Sequence, residues 1–196
     1  MYLLAAVHAR GLYGVGANAH AHLDEGLDVL HRESLEKLHE RYGVRGLAQA
    51  DLDHMNRAWH RLDPWPDVVE GLARLKRKFI VAPCSNGNIA LIVNMAKRAG
   101  LPWDCVLGAE TARAYKPLPQ AYLASCAQLG LPPAQVMMVA AHNADLRAAK
   151  AQGLATAFVA RPTEHGPGQC TDLAPDPACV DVAAENLVEL AGKLGG

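Results

Sequence analysis

Residues 136–159, VMMVAAHNADLRAAKAQGLATAFV, decide the fold. Val136-Met137-Met138-Val139-Ala140 is an unbroken apolar run of strand length, and Ala155-Thr156-Ala157-Phe158-Val159 is a second. Between them a short helix over about 145–152 ends at Gly153. Strands that are apolar on both faces, with a helix between them, predict a parallel sheet covered on both sides.

The same rhythm extends upstream. A helix over roughly 67–78 leads into Phe79-Ile80-Val81-Ala82, and a helix around 88–99 ends at Gly100 before a short strand at Cys105-Val106-Leu107. Another helix over about 118–129 precedes Val136. Before Pro64 the pattern is purely helical: Leu23, Leu27, Leu30, Leu38 and Tyr42 recur at three- and four-residue steps, and Gly43 stops them. Leu52, Met55, Trp59 and Leu62 carry a second helix to the break at Asp63-Pro64-Trp65-Pro66. Residues 163–180, rich in Pro, Gly, Asp and Thr, read as a surface loop, and 184–194 as a closing helix. The organisation expected is an unmatched segment 1–22, a small helical cap 23–63 and an α/β core 64–196.

Bulk properties exclude several classes. The chain has 196 residues, 51% hydrophobic, with a formal charge of −1, enough for one substantial domain. Scattered basic residues and 5% aromatics give no nucleic-acid surface. No apolar stretch approaches the ~20 residues that span a bilayer, and Met1–Val7 lacks the basic flank of a signal peptide. Cys84, Cys105, Cys126, Cys170 and Cys179 show no CxxC spacing, which suits reduced thiols and a cytoplasmic location.

Three stations lie where an open parallel sheet binds ligands, just past the carboxyl ends of strands. Ser85-Asn86-Gly87-Asn88 offers hydroxyl, amide and helix N-terminal N–H groups to an anion, or simply caps a helix. Lys116, within Tyr115-Lys116-Pro117, is a compact charge for a carboxylate or phosphate, or an ordinary exposed lysine. Asp145, in His142-Asn143-Ala144-Asp145, is a candidate functional carboxylate, or a helix N-terminal acid favoured by the dipole. Singly each has a structural explanation; in order, each past an apolar strand, they form a site.

With Pro64-Trp65-Pro66-Asp67, Leu101-Pro102-Trp103-Asp104, Val139-Ala140-Ala141-His142-Asn143 and Arg161-Pro162, these motifs make the chain resemble the haloacid dehalogenase superfamily. The likeness is to its type II (S)-2-haloacid dehalogenases, over roughly residues 23–194. The resemblance implies a Rossmann-like parallel core with a helical cap. It also implies a two-step displacement, in which an aspartate forms an ester with a short 2-haloalkanoic acid and water then hydrolyses it. By motif, Ser85 would bind the substrate carboxylate, and Lys116 would hold the nucleophile and substrate charges. Asn86 would help receive halide, and Asp145 with His142 or Asn143 would position water. No cofactor is implied; the partner is the small haloacid, with a homodimer as a further expectation. Superfamily phosphatases need Mg²⁺ and an acidic partner four or five residues before Asp145, where Ala141 and Ala140 stand.

The nucleophile loop D-x-x-G-T is absent, and Gly-Thr occurs nowhere. The first core strand therefore looks missing, as from a truncated or frame-shifted start, leaving an impaired enzyme or an inactive small-carboxylate-binding module. Tyr2–Val7 is apolar enough to fill the gap as a strand, although its leucines and alanines favour helix; a strand swapped from a second copy is the other candidate. Arg10 lies in unmatched sequence and takes no family role. Gly14–Ala19 fits a dinucleotide fingerprint but lacks its strand and acidic context. His8, His20, His22 and His31 read as solvated surface histidines, and Trp59, Trp65 and Trp103 as packing residues.

Overall fold

In the computed structural model of the chain, residues 2–5 are described as backbone and residues 26–196 with their side chains. His8, Arg10, Gly14–Ala19, His20 and His22 lie outside the described residues. Five strands punctuate the core, β2 (Val81–Ser85), β3 (Leu107–Gly108), β4 (Val136–Ala140), β5 (Ala155–Val159) and β6 (Val182–Ala184), with β1 (Tyr2–Ala5) joining them. The sheet runs β3-β2-β1-β4-β5-β6, and every pairing is parallel.

β1 corrects the helix favoured by propensity and fills the strand position that looked missing. Leu3 pairs with Val81 on one side and Met137 on the other, and Ala5 with Pro83 and Val139. A slot open on both edges offers two ladders of backbone hydrogen bonds, and this tertiary pairing outweighs the weak helical preference of leucine and alanine. A second correction concerns β2. It starts two residues later than expected and includes Ser85, because Asp104 anchors its beginning: the Val81 N–H donates to Asp104 Oδ2 at 2.9 Å, and the Asp104 N–H to the Val81 carbonyl at 2.9 Å. The three-residue β6 lies between the expected loop (163–180) and closing helix (184–194), taking the first residue of the latter.

The helices cover both faces. On one, α3 (Val68–Lys76) and α8 (Leu187–Lys193) place Leu72, Leu75, Leu187 and Leu190 over Val81, Met137, Val139 and Ala157. On the other, α6 (Pro119–Gln128) and α7 (Asn143–Ala151) bring Tyr122, Cys126, Leu146 and Ala149 onto Ala82, Cys84, Met138 and Phe158. Successive strand residues thus reach opposite cores, which is why the strands are apolar throughout. Gly71 lets α3 and α8 touch: a Cβ there would lie 2.4 Å from that of Leu187.

The helical segment comprises α1 (Leu27–Arg41), α2 (Gln49–Asn56) and a 3-10 turn, Arg57–Arg61. Trp59 and Leu62 pack on Leu91, Ile92 and Met95 of α4 (Ile89–Ala99). Asp28 ties the segment down, accepting from Asn88 Nδ2 at 3.0 Å and contacting His60 Nε2 at 2.9 Å. His31 is not a solvated surface histidine. It is half-buried and stacks on Trp59 at 5.1 Å, and burial pulls its pKa down. Trp65 and Trp103 pack against the first core, as expected, with the Arg161 guanidinium 5.0 Å over the Trp65 ring.

Asp67 joins three elements: its Oδ2 accepts from Arg161 Nη2 at 2.8 Å and from the Leu187 N–H, the first of α8, at 2.7 Å. Burial opposes its ionisation, but these donors prevail and hold its carboxyl below the usual carboxylate range. A lowered folded-state pKa contributes stability above the ordinary value of about 4, which is lost as pH falls through the lower folded value. Urea unfolding of the parent should therefore weaken between pH 5 and pH 3 by more than that of Asp67→Asn.

Candidate functional site

The strand order reverses direction at β1, so the crevice outside the carboxyl ends of β1 and its neighbours is the natural ligand position. Ser85 ends β2 there, and Asp145 stands in the first turn of α7, just past β4. Between these two strands β1 ends level with Pro83 and Val139.

Lys116 and Asp145 meet. Lys116 Nζ lies 2.6 Å from Asp145 Oδ2, and the two side chains are 7% and 10% exposed. Asn86 sets the lysine from behind: Lys116 N–H donates to Asn86 Oδ1 at 2.7 Å, and Asn86 Nδ2 donates to the Lys116 carbonyl at 3.2 Å. Tyr122, unremarked in the sequence, donates its hydroxyl to Asp145 Oδ1 at 2.6 Å. Burial, then the nearby Asp145 charge, pushes the Tyr122 pKa far up, so the phenol remains a neutral donor. Beneath the site burial likewise pushes the Cys84 thiol up, and Cys84 Sγ sits 3.6 Å from Ser125 Oγ.

Ser85 is buried, and its Oγ accepts from the Gly87 N–H at 3.0 Å, leaving its own proton to donate. One of the helix N–H groups expected to meet an anion is already engaged. The Ile89 N–H that opens α4 donates to Glu110 Oε2 at 2.5 Å, a carboxylate of the chain itself. Glu110 sits on α5 (Ala109–Ala112), a one-turn helix with no periodic signal in sequence.

Asn143 and His142 make contacts with the loop beyond β5. Asn143 pins the following loop: its N–H donates to Asp172 Oδ1 at 2.8 Å, its Nδ2 to the Ala174 carbonyl, and its Oδ1 accepts from the Asp176 N–H. His142 is buried with Nε2 2.9 Å from Glu164 Oε2. The structure thus brings Ser85 and Asn86 to one side and Lys116 and Asp145 into contact, while Asn143 and His142 engage the loop beyond β5. Tyr122 could have been found only by placing the inner face of α6 over α7.

Comparisons with known proteins bear on the family and the fold. The profile of haloacid dehalogenase-like hydrolases matches residues 5–153. An (S)-2-haloacid dehalogenase from Xanthobacter autotrophicus is 34% identical over 126 residues, 61% of this chain and 48% of that protein, so the chain spans about half the length of that curated relative. A crystal structure of an L-2-haloacid dehalogenase superposes with TM-score 0.84 and 49% identity, covering 87% of this chain and 74% of the other. A defluorinating L-2-haloacid dehalogenase superposes with TM-score 0.87 and 46% identity, covering 92% and 76%.

Proposed function

The chain belongs to the haloacid dehalogenase-like hydrolase family, and from that premise we propose that its crevice receives short 2-haloalkanoic acids. The Lys116–Asp145 pair carries this reading. A buried ammonium beside the switch point of a parallel sheet is suited to a small carboxylate, and relatives at 46–49% identity are named for 2-haloacids. Ser85 donates to the substrate carboxylate, Lys116 neutralises it, and Asp145, steadied by Tyr122, positions water. Asn86 acts through Lys116, because both ends of its amide are engaged by that residue's backbone. In this reading residues 23–63 form a cap over the core 64–196. A homodimer is part of this reading by family resemblance.

The displacement step lacks its nucleophile. β1 stands where the family's aspartate-bearing strand is expected, yet the sequence from Ala6 to Leu23 contains no Asp or Glu. The chain therefore binds 2-haloacids without forming the ester. A phosphatase reading has less support: Ala140 and Ala141 stand where an acidic partner of Asp145 would, and one carboxylate makes a poor Mg²⁺ site.

The test is calorimetric binding of (S)-2-chloropropionate, with halide release followed in the same sample and the (R) isomer as control. Saturable binding of the (S) isomer without halide release is expected. Release from the (S) isomer would mean that another carboxylate serves as nucleophile. Absence of binding to the folded chain would remove the haloacid reading altogether.

A further inference from the structure

We propose that His142, Glu164 and His165 form a binding site for one divalent cation of the zinc class, a site the haloacid chemistry does not use. One ligand atom from each of the three residues lies within 4.8 Å of the others. Two neighbouring strands deliver them. His142 stands between β4 and α7, and Glu164 and His165 follow β5, which pairs with β4. The turn is fixed by its own backbone: Glu164 N–H donates to the Arg161 carbonyl at 3.2 Å, and Gly166 N–H to the Thr163 carbonyl at 3.0 Å. Gln169 Oε1 accepts from the His165 N–H at 3.1 Å, and the two imidazole rings stack with centroids 6.1 Å apart.

Glu164 is the observation that points to a cation. Its side chain is 3% exposed, and among the described residues no lysine or arginine pairs with it. Oε2 lies 2.9 Å from His142 Nε2, but Oε1 is buried with no hydrogen-bond partner. An ionised carboxylate taken out of water with one oxygen unsatisfied is costly. A cation held by that carboxylate and two imidazoles would supply the missing interaction. Two nitrogens and one oxygen match zinc and its first-row neighbours, while Mg²⁺ and Ca²⁺ prefer all-oxygen shells. His165 is exposed, so the third ligand borders solvent and leaves room for water as a fourth. The surface-loop reading of 163–180 concealed this, because only folding brings His142 to the turn.

The alternative is a buried His142–Glu164 pair with His165 as a bystander. Titration of the purified chain with Co²⁺, followed by its visible absorption and then by competition with Zn²⁺, separates the two. One equivalent of Co²⁺ should bind with a tetrahedral or five-coordinate spectrum and be displaced by Zn²⁺. His165→Ala, which removes an exposed side chain, should keep the parent's circular dichroism and bind at least about tenfold more weakly, and Glu164→Gln should do likewise. A folded chain with no saturable cobalt band would overturn the proposal. So would cobalt binding equally tight in both variants, which would place the ion on other histidines or thiols.

Discussion

Replacing Asp145 by leucine is expected to lower the free energy of unfolding by about 3–5 kcal/mol, the usual cost of removing one partner of a buried ion pair. The Lys116 side chain is 7% exposed, and its ammonium would lose the oxygen 2.6 Å away. Tyr122 would lose the acceptor of its hydroxyl in the same substitution. In Lys116→Met/Asp145→Leu neither charge of this pair remains, only the orphaned phenol at about 1–3 kcal/mol. The double variant should therefore be the more stable of the two, although it carries more changes. Urea unfolding of parent, single and double variants at pH 7 reads this ordering directly. A single variant within about 1 kcal/mol of the parent would mean a solvated pair, and the proposed carboxylate site built on it would lose its support. The double variant should no longer bind 2-chloropropionate while staying folded, which separates the pair's part in binding from its part in stability.

The sheet was largely legible because its strands are apolar on both faces. Val136–Ala140 and Ala155–Val159 have the same ends in sequence and structure, since both cores press on alternate residues of each. What escaped was short or decided from a distance. Tyr2–Ala5 has no periodicity that separates strand from helix, and only the vacant slot between Val81–Ser85 and Val136–Ala140 makes it a strand. β6, at three residues, is too brief to signal itself. In the site, Ser85, Lys116 and Asp145 could be found because each follows a buried strand. Tyr122 and Glu164 could not, because their partners stand 23 and 22 residues away in sequence and on other elements. Asn86 and Asn143 were found as polar candidates, but sequence does not tell a substrate amide from one spent on backbone.

Gly108→Ala should cost about 2–6 kcal/mol and weaken haloacid binding at least about tenfold, while Gly100→Ala does far less. Gly108 pairs with Ser85 across β2 and β3 with φ 129° and ψ −149°, a conformation essentially reserved for glycine. Holding alanine there costs about 1–3 kcal/mol, and crowding adds about 1–3 kcal/mol more. The crowding is specific: an added Cβ would lie 2.1 Å from the Ser85 carbonyl oxygen and 2.5 Å from its nitrogen. Backbone cannot rotate aside as a side chain can, so either β3 leaves the sheet or Ser85 moves. Both displace the hydroxyl held by the Gly87 N–H, and hence the expected contact to the substrate carboxylate. Gly100 supplies the control. Its φ is also positive, at 68°, but nothing lies within 4 Å of an added Cβ, so Gly100→Ala should cost only the left-handed penalty of about 1–2 kcal/mol. Equal losses in the two variants would attribute the effect to backbone strain alone. A larger loss at Gly108, accompanied by weaker 2-chloropropionate binding at a temperature where the variant remains folded, would show that the close approach of β3 is what fixes Ser85 at the mouth of the crevice.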